Sequence, residues 1–358
     1  MKVIQVMPNF ALAGAEIMCE NLIYELRRQG IEVIAVSFFN ERTAITERLE
    51  KNEVKIIYLG KKPAWDFSII KKLRKVFKQE KPDVIHTNRY APIYAIPAAI
   101  LAGVKCRVHT VHNVAQKENK RIGRFFNKIF FKLFHTIPVA LSELIQESIE
   151  KEYKIKKKKI PVILNGIDLS KCQPKADYAI KDKIKILHIG RFSPQKNHKG
   201  LIEAFHLFHQ EYPQSILQLI GEGELREEVK KQVNQLGLTA SVELLGLQEN
   251  VHAYLHSADI FTLPSNYEGI PITLIEAMGT GLPIVATNVG GIPDMLQDGE
   301  NTILTTLSTS EIAEAFFTFA SDERLRKKMG EKAKAEAEKF SDKRMTEGYL
   351  TIYRRRNK

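Results

Sequence analysis

At 358 residues, the chain is longer than a single hydrophobic core usually serves, so two domains are expected. Apolar residues make up 44%, too many for a disordered chain. No apolar run nears the ~20 residues that span a bilayer, and the start MKVIQVMPNF reads as a strand, not a leader, so a soluble protein is expected.

The three cysteines, Cys19, Cys106 and Cys172, lie far apart, which argues against a disulfide framework or metal cluster and suits a reducing cytosol. The net charge of +12 is uneven: residues 1–170 hold 30 Lys+Arg against 17 Asp+Glu, whereas residues 171–358 hold 24 against 25. A basic half and a near-neutral half imply different partners.

In chain order, the first half predicts strands at Lys2–Met7, Glu32–Phe38, Lys55–Tyr58, Val84–Thr87, Cys106–Val111 and Thr136–Ala140. Ala15–Gln29 and Phe67–Gln79 carry helical apolar spacing. The second half repeats the alternation, with strands at Ile184–Ile189, Ile216–Ile220, Val242–Leu245, Ile260–Leu263, Ile284–Thr287 and Thr302–Leu304. Its helices are predicted at Lys199–Glu211, Leu225–Leu236, Val251–Ser257, Thr273–Met278 and Glu311–Ala320. Alternating strand and helix implies an α/β protein with parallel sheets covered on both faces, here two Rossmann-like halves. The joint falls near Asn165–Asp177, where Asn-Gly, Pro and scattered charge mark a crossover.

Several segments carry chemistry. VHTVHNV ends a strand with His109, expected to point into the sheet, and His112, the better polar candidate. On a helix, Lys120–Phe134 would align Arg121, Arg124, Lys128 and Lys132 beside bulky apolar residues, which suits an anionic membrane surface; the alternative is a core helix with a solvated basic edge. In HIGRFSPQKNHKG, a strand exits through Gly190 into a loop with Arg191 and Lys196. Two cations at the carboxyl end of a strand can meet the charge that builds on a leaving diphosphate. Gly221 and Gly223 mark a second strand exit, a weak signal alone. In NYEGIPITLIEAM, Glu268 and Glu276 stand eight residues apart around a turn at Gly269–Pro271. A helix starting near Ile272 would turn free N–H groups toward that loop, and the carboxylates can grip sugar hydroxyls.

The Glu-x7-Glu pattern followed by AMGTGLPIVATNVGGIPDML resembles the donor-binding signature of family 4 glycosyltransferases, which have the GT-B fold. The resemblance spans nearly the whole chain and is most specific over residues 188–300. It implies two Rossmann-like domains facing a central cleft: an acceptor-binding domain over 1–168 and a nucleotide-sugar domain over 169–344, with a helix at 345–358 returning to the first. It assigns the donor diphosphate to Gly190, Arg191 and Lys196, and the nucleotide side to Gly221, Gly223 and the stretch Leu245–Leu247. Gly14, in NFALAGAE, resembles the family's glycine loop, although Ala13 stands where many relatives carry a second glycine. His112 aligns with the histidine that hydrogen-bonds the transferred sugar. Glu268 would orient a sugar hydroxyl, Glu276 would take the ribose hydroxyls, and Gly269, Ile270, Pro271 and Ile272 would line the donor.

The expected activity is therefore retaining transfer of a hexose from a sugar nucleotide, a UDP-sugar, to a membrane-proximal, lipid-linked saccharide in surface polysaccharide or glycan synthesis. The enzyme would sit at the inner face of the cell membrane. Asp-x-Asp is absent from the chain, so no metal cofactor is expected. A sugar-nucleotide epimerase or hydrolase of the same fold, or a catalytically inactive sugar-nucleotide-binding protein, are the alternatives. Nucleic acid is not an expected partner despite pI 9.4, because no recognition motif accompanies the charge.

Overall fold

The computed structural model describes residues 1–118 and 120–355. They divide into two compact units, Met1–Ile167 with Ser341–Lys358, and Asp168–Phe340.

The first unit runs β1 Lys2–Met7, α1 Gly14–Arg28, β2 Glu32–Ser37, α2 Ala44–Lys51, β3 Lys55–Tyr58, α3 Ser68–Glu80, β4 Val84–Asn88, α4 Pro92–Ala102 and β5 Cys106–Val111. It continues with α5 Ala115–Glu118, α6 Arg121–Lys132, β6 Ile137–Ala140 and α7 Glu143–Tyr153. The six strands are all parallel, in the order β3-β2-β1-β4-β5-β6. β4 is buried along its whole length, as a strand covered on both faces must be, and such strands read as short apolar runs. Ile4, Val36, Phe38, Leu73, Phe77 and Tyr94 lie in the core on the face that α3 and α4 cover.

The second unit runs β7 Ile184–Ile189, α8 His198–Glu211, β8 Ser215–Ile220, α9 Arg226–Gln235, β9 Val242–Gly246, α10 His252–Ser257, β10 Ile260–Leu263 and α11 Ile272–Thr280. Then come β11 Ile284–Thr287, α12 Ile292–Met295, β12 Ile303–Thr305, α13 Thr309–Ser321 and α14 Glu323–Ala337. Its sheet, also parallel, has the order β12-β11-β10-β7-β8-β9. Ile186, Phe205, Phe208, Leu217, Phe316 and Phe319 form the centre of its core.

The last helix, α15 Asp342–Arg355, belongs to the first unit, so the chain crosses back at Ser341, ahead of the expected residue 345. A buried polar chain fixes it there. Tyr353 Oη meets His86 Nδ1 at 2.7 Å, His86 Nε2 meets Thr110 Oγ1 at 2.7 Å, and Thr110 Oγ1 meets Tyr349 Oη at 2.7 Å. The outgoing chain pairs with the returning chain, Asp342 donating its N–H to Ile167 O at 2.8 Å. Gly166 permits that approach, because a Cβ there would lie 2.4 Å from Ser341 O.

All three cysteines are buried, and none forms a disulfide. Among the described residues no helix is long and apolar enough to cross a membrane.

Candidate functional site

In the second unit the site grows from the carboxyl ends of four adjacent strands, β8, β7, β10 and β11. This is where open parallel sheets present ligands. Glycines let the four exit loops press backbone against backbone. A Cβ on Gly221, at φ +143°, would fall 2.0 Å from Gly190 O, and one on Gly223, at φ +158°, 2.4 Å from Phe192 O. A Cβ on Gly290, at φ +57°, would fall 1.9 Å from Glu268 O, and one on Gly291 2.3 Å from Gly269 O. The Gly290–Gly291 pair is therefore what fixes the backbone under Glu268, a role that the sequence reading did not assign.

Between these loops lies a buried ion pair. Lys196 Nζ donates to Glu268 Oε1 at 2.5 Å, with side chains only 14% and 5% exposed. Ser265 Oγ donates to the same oxygen at 2.6 Å, and Gln195 Nε2 donates to Oε2 at 3.2 Å. Both Glu268 oxygens are thus held, as a charge at this depth requires. The loops are also stapled through Asn266, whose N–H donates to Gln195 O at 2.8 Å and whose Nδ2 donates to Pro194 O at 2.6 Å. Gly190 matters here too, since a Cβ would press on His188 Nε2 at 2.9 Å and on the Lys196 stem at 3.1 Å.

Arg191 and Lys196, expected to act side by side, do not share a partner. Arg191 is 73% exposed and pairs outward with Glu224 Oε2 at 3.0 Å. The α11 start is as expected: the helix opens at Ile272 behind Pro271, which has no side-chain acceptor with which to cap the first N–H groups. Gly269, Ile270 and Pro271 form the turn between Glu268 and that helix, with Ile270 and Ile272 buried. Glu276 lies one turn into α11 and is partly buried; burial pushes its carboxyl up to about 7, against a smaller pull from Lys171. Leu247 follows Gly246 at the end of β9 and is exposed.

His188 and His198 add an unexpected pair of buried rings beneath this loop. His198 stacks on Phe192 with centroids 4.1 Å apart and meets His188 edge-on at 4.9 Å. Burial lowers both pKa values, that of His198 to about 4, so both rings are neutral at neutral pH.

In the first unit, His112 follows β5, and its Nε2 donates to Asn88 Oδ1 at 3.0 Å at the end of β4. Burial first, then His109 and Arg89, lower its pKa to about 3. It is a neutral imidazole with Nδ1 left as the acceptor. His109 lies within the sheet as expected, buried and bonded to Thr87. Gly14 opens α1 on the surface, and two residues on the fully buried Glu16 receives the Arg89 guanidinium. Burial raises the Glu118 carboxyl to about 7 despite backbone N–H groups of His112 and Asn113 and the charge of Arg89. Nothing in the spacing of Asn88, Arg89 and Glu118 marked them as neighbours of His112.

Residues 12–171 match the family described as glycosyltransferase family 4, and residues 173–336 match glycosyl transferases group 1. N-acetyl-alpha-D-glucosaminyl L-malate synthase of Bacillus anthracis is 30% identical over 317 residues, covering 81% of this chain and 79% of that enzyme. The chain belongs to the family 4, group 1 glycosyltransferases. Another relative, the UDP-Gal:alpha-D-GlcNAc-diphosphoundecaprenol alpha-1,3-galactosyltransferase of Escherichia coli, is 34% identical over 243 residues, and the match spans 63% of each chain, just under two thirds of the relative's length. The crystal structure of Anabaena HepE with UDP and glucose superposes with a TM-score of 0.86 over 98% of both chains, at 20% identity. That likeness shows that this family 4 member has the GT-B fold.

Proposed function

We propose that the chain is a retaining, metal-independent glycosyltransferase that moves a hexose from a UDP-sugar to a membrane-proximal, lipid-linked saccharide. The observation that carries this reading is the buried Lys196–Glu268 pair beside the uncapped start of α11. A donor diphosphate brings two negative charges to a place that offers an ammonium group and free backbone N–H groups. These stabilise the charge that develops on the leaving phosphate, the work that a metal does in other transferases. While no donor is present, Glu268 holds Lys196 in place; with the donor bound, Lys196 is shared with phosphate, and Glu268 turns an oxygen to a sugar hydroxyl. Exposed Arg191 closes over the diphosphate from outside.

The glycosidic bond breaks as the acceptor hydroxyl attacks from the side that the nucleotide leaves. The departing phosphate oxygen takes the hydroxyl proton, so no enzyme nucleophile is used. His112, uncharged, accepts a hydrogen bond from a sugar hydroxyl at Nδ1 and gives no proton to the leaving group. Glu276 takes the ribose hydroxyls, and the turn Gly269–Ile272 with Gly221, Gly223 and Leu247 lines the nucleotide.

The acceptor class is supported by the basic first half and by the relative whose name specifies a diphosphoundecaprenol acceptor. It is also supported by α6, which exposes Arg121, Lys128, Lys132, Ile122 and Phe125, with Leu133 and Phe134 exposed just after it, although Arg124 is tied to Glu152 at 3.0 Å. Work at the cytoplasmic membrane face follows from that class. The test is a panel of UDP-sugars incubated with the protein and polyprenyl-diphosphate saccharides in anionic vesicles, with EDTA present. Acceptor-dependent UDP release supports the reading. Epimer formation, or UDP release indifferent to acceptor, would replace it with the epimerase or hydrolase alternative.

A further inference from the structure

A second element that joins exposed aromatic and basic side chains lies outside α6, in the segment from Lys61 to Lys78. The loop before α3 exposes the Trp65 and Phe67 side chains to 51% and 65%, and their rings stack with centroids 6.0 Å apart. Exposed aromatic pairs of this size are uncommon on a surface that meets only water.

The loop is built to hold them outward. Asp66 accepts hydrogen bonds from Lys62 N–H at 3.0 Å, Ser68 N–H at 3.1 Å and Ser68 Oγ at 2.5 Å. Lys61 sits over the rings of Phe39 and Tyr94 at 5.5 and 5.7 Å and donates back to Ala64 O. Trp65 also leans on Tyr94, in the first turn of α4, with centroids 6.4 Å apart.

The helix that follows is amphipathic. Ile69, Leu73, Val76 and Phe77 are buried, while Lys71, Lys72, Arg74, Lys75 and Lys78 are exposed. No acidic residue interrupts that face before Glu80.

α3 packs on α4, and α4 packs on α6, so the three helices form one layer on one face of the first sheet. Because the strands are parallel, the N-terminal ends of α3 and α6 lie at the same, carboxyl, edge of that sheet. Trp65 and Phe67 therefore share an edge with Ile122 and Phe125 of α6, themselves 55% and 62% exposed.

We propose that the loop around Trp65 and Phe67, with the basic face of α3, is a second anchor on anionic bilayers, giving the first unit a two-point attachment. The inference rests on the membrane-proximal reading above. It commits to a lipid surface because the pattern joins aromatic tips to lysines: the rings suit the headgroup boundary, and the cations suit anionic lipid. Two points of contact also fix orientation, which one helix does not.

Trp65 is the only tryptophan in the sequence, so its emission reports on this loop without any mutation. The wild-type chain is titrated with phosphatidylglycerol-containing and pure phosphatidylcholine vesicles at low and high salt, following sedimentation and emission together. The expected result is a blue shift with anionic vesicles only, suppressed by salt. Phe67→Ser should weaken vesicle affinity roughly tenfold through lost apolar burial, and each of Lys71→Gln, Lys75→Gln and Lys78→Gln about fivefold. Sedimentation with unchanged Trp65 emission overturns the second anchor while leaving α6 attachment standing. Absence of sedimentation overturns both, and an equal shift with a soluble polyanion such as heparin overturns the lipid assignment.

Discussion

Lys196 and Arg191 come from one loop but sit in opposite environments, and that separates what their loss does. Removing Lys196 strands the buried Glu268 carboxylate, so Lys196→Ala should cost about 3–5 kcal/mol of stability, whereas Arg191→Ala, which breaks a surface pair, should cost at most about 1 kcal/mol. Both variants should lose roughly 2–4 kcal/mol of transition-state stabilisation. Urea unfolding and kcat/KM read the two effects separately; an Arg191→Ala enzyme of normal rate would remove that residue from the diphosphate grip. Glu276 makes a pH-dependent contribution. Its folded pKa of about 7 stands above its ordinary 4.5, so the native state binds the proton more tightly than the unfolded chain. Stability from this group is present at low pH and lost as pH rises from that ordinary value through about 7. Relative to Glu276→Gln, the wild type should therefore lose stability over that window. A difference between the two that is flat with pH would show that the carboxyl is not buried in this way.

At the scale of elements, the strand-end loops act as one block because glycine brings their backbones together. Gly290→Ala forces a Cβ into Glu268 O, 1.9 Å away, at a φ of +57°. The cost should be about 1–3 kcal/mol from backbone strain alone, with Glu268 displaced. Thermal melting and UDP affinity should fall together in this variant, whereas Gly237→Ala, at φ +71° in open space, should lower melting alone. The strands were legible because parallel strands buried on both faces read as short apolar runs. α1 and α3 were legible because one of their faces is apolar. The helix α4 was not, since PIYAIPAAILA is apolar all round and carries Pro97, leaving no period to detect. Glu268, Lys196 and the α11 start could be picked out as residues, but the bond joining Lys196 to Glu268 links positions 72 apart and has no local signature. Ser265 and Gln195 look like ordinary loop polar residues until that bond is known. The outward turn of Arg191 follows from Glu224 on the next loop, which spacing does not reveal.

For the whole molecule, charge divides as structure does: Met1–Ile167 with Ser341–Lys358 holds 36 Lys+Arg against 18 Asp+Glu, whereas Asp168–Phe340 holds 18 against 24. The basic half holds α3, α6 and the exposed lysines Lys157–Lys159, so salt should weaken vesicle attachment while leaving UDP affinity far less affected. A chain that lost UDP affinity as steeply as vesicle attachment would contradict this division of labour. Retaining transfer driven by side-chain and backbone charge, without a metal, is the proposed chemistry. Proton NMR of the product formed from an α-linked UDP-sugar in the presence of EDTA tests it most directly. The expected product is an α-glycoside formed at an undiminished rate; a β-glycoside, or a rate abolished by EDTA and restored by magnesium or manganese, would overturn that chemistry.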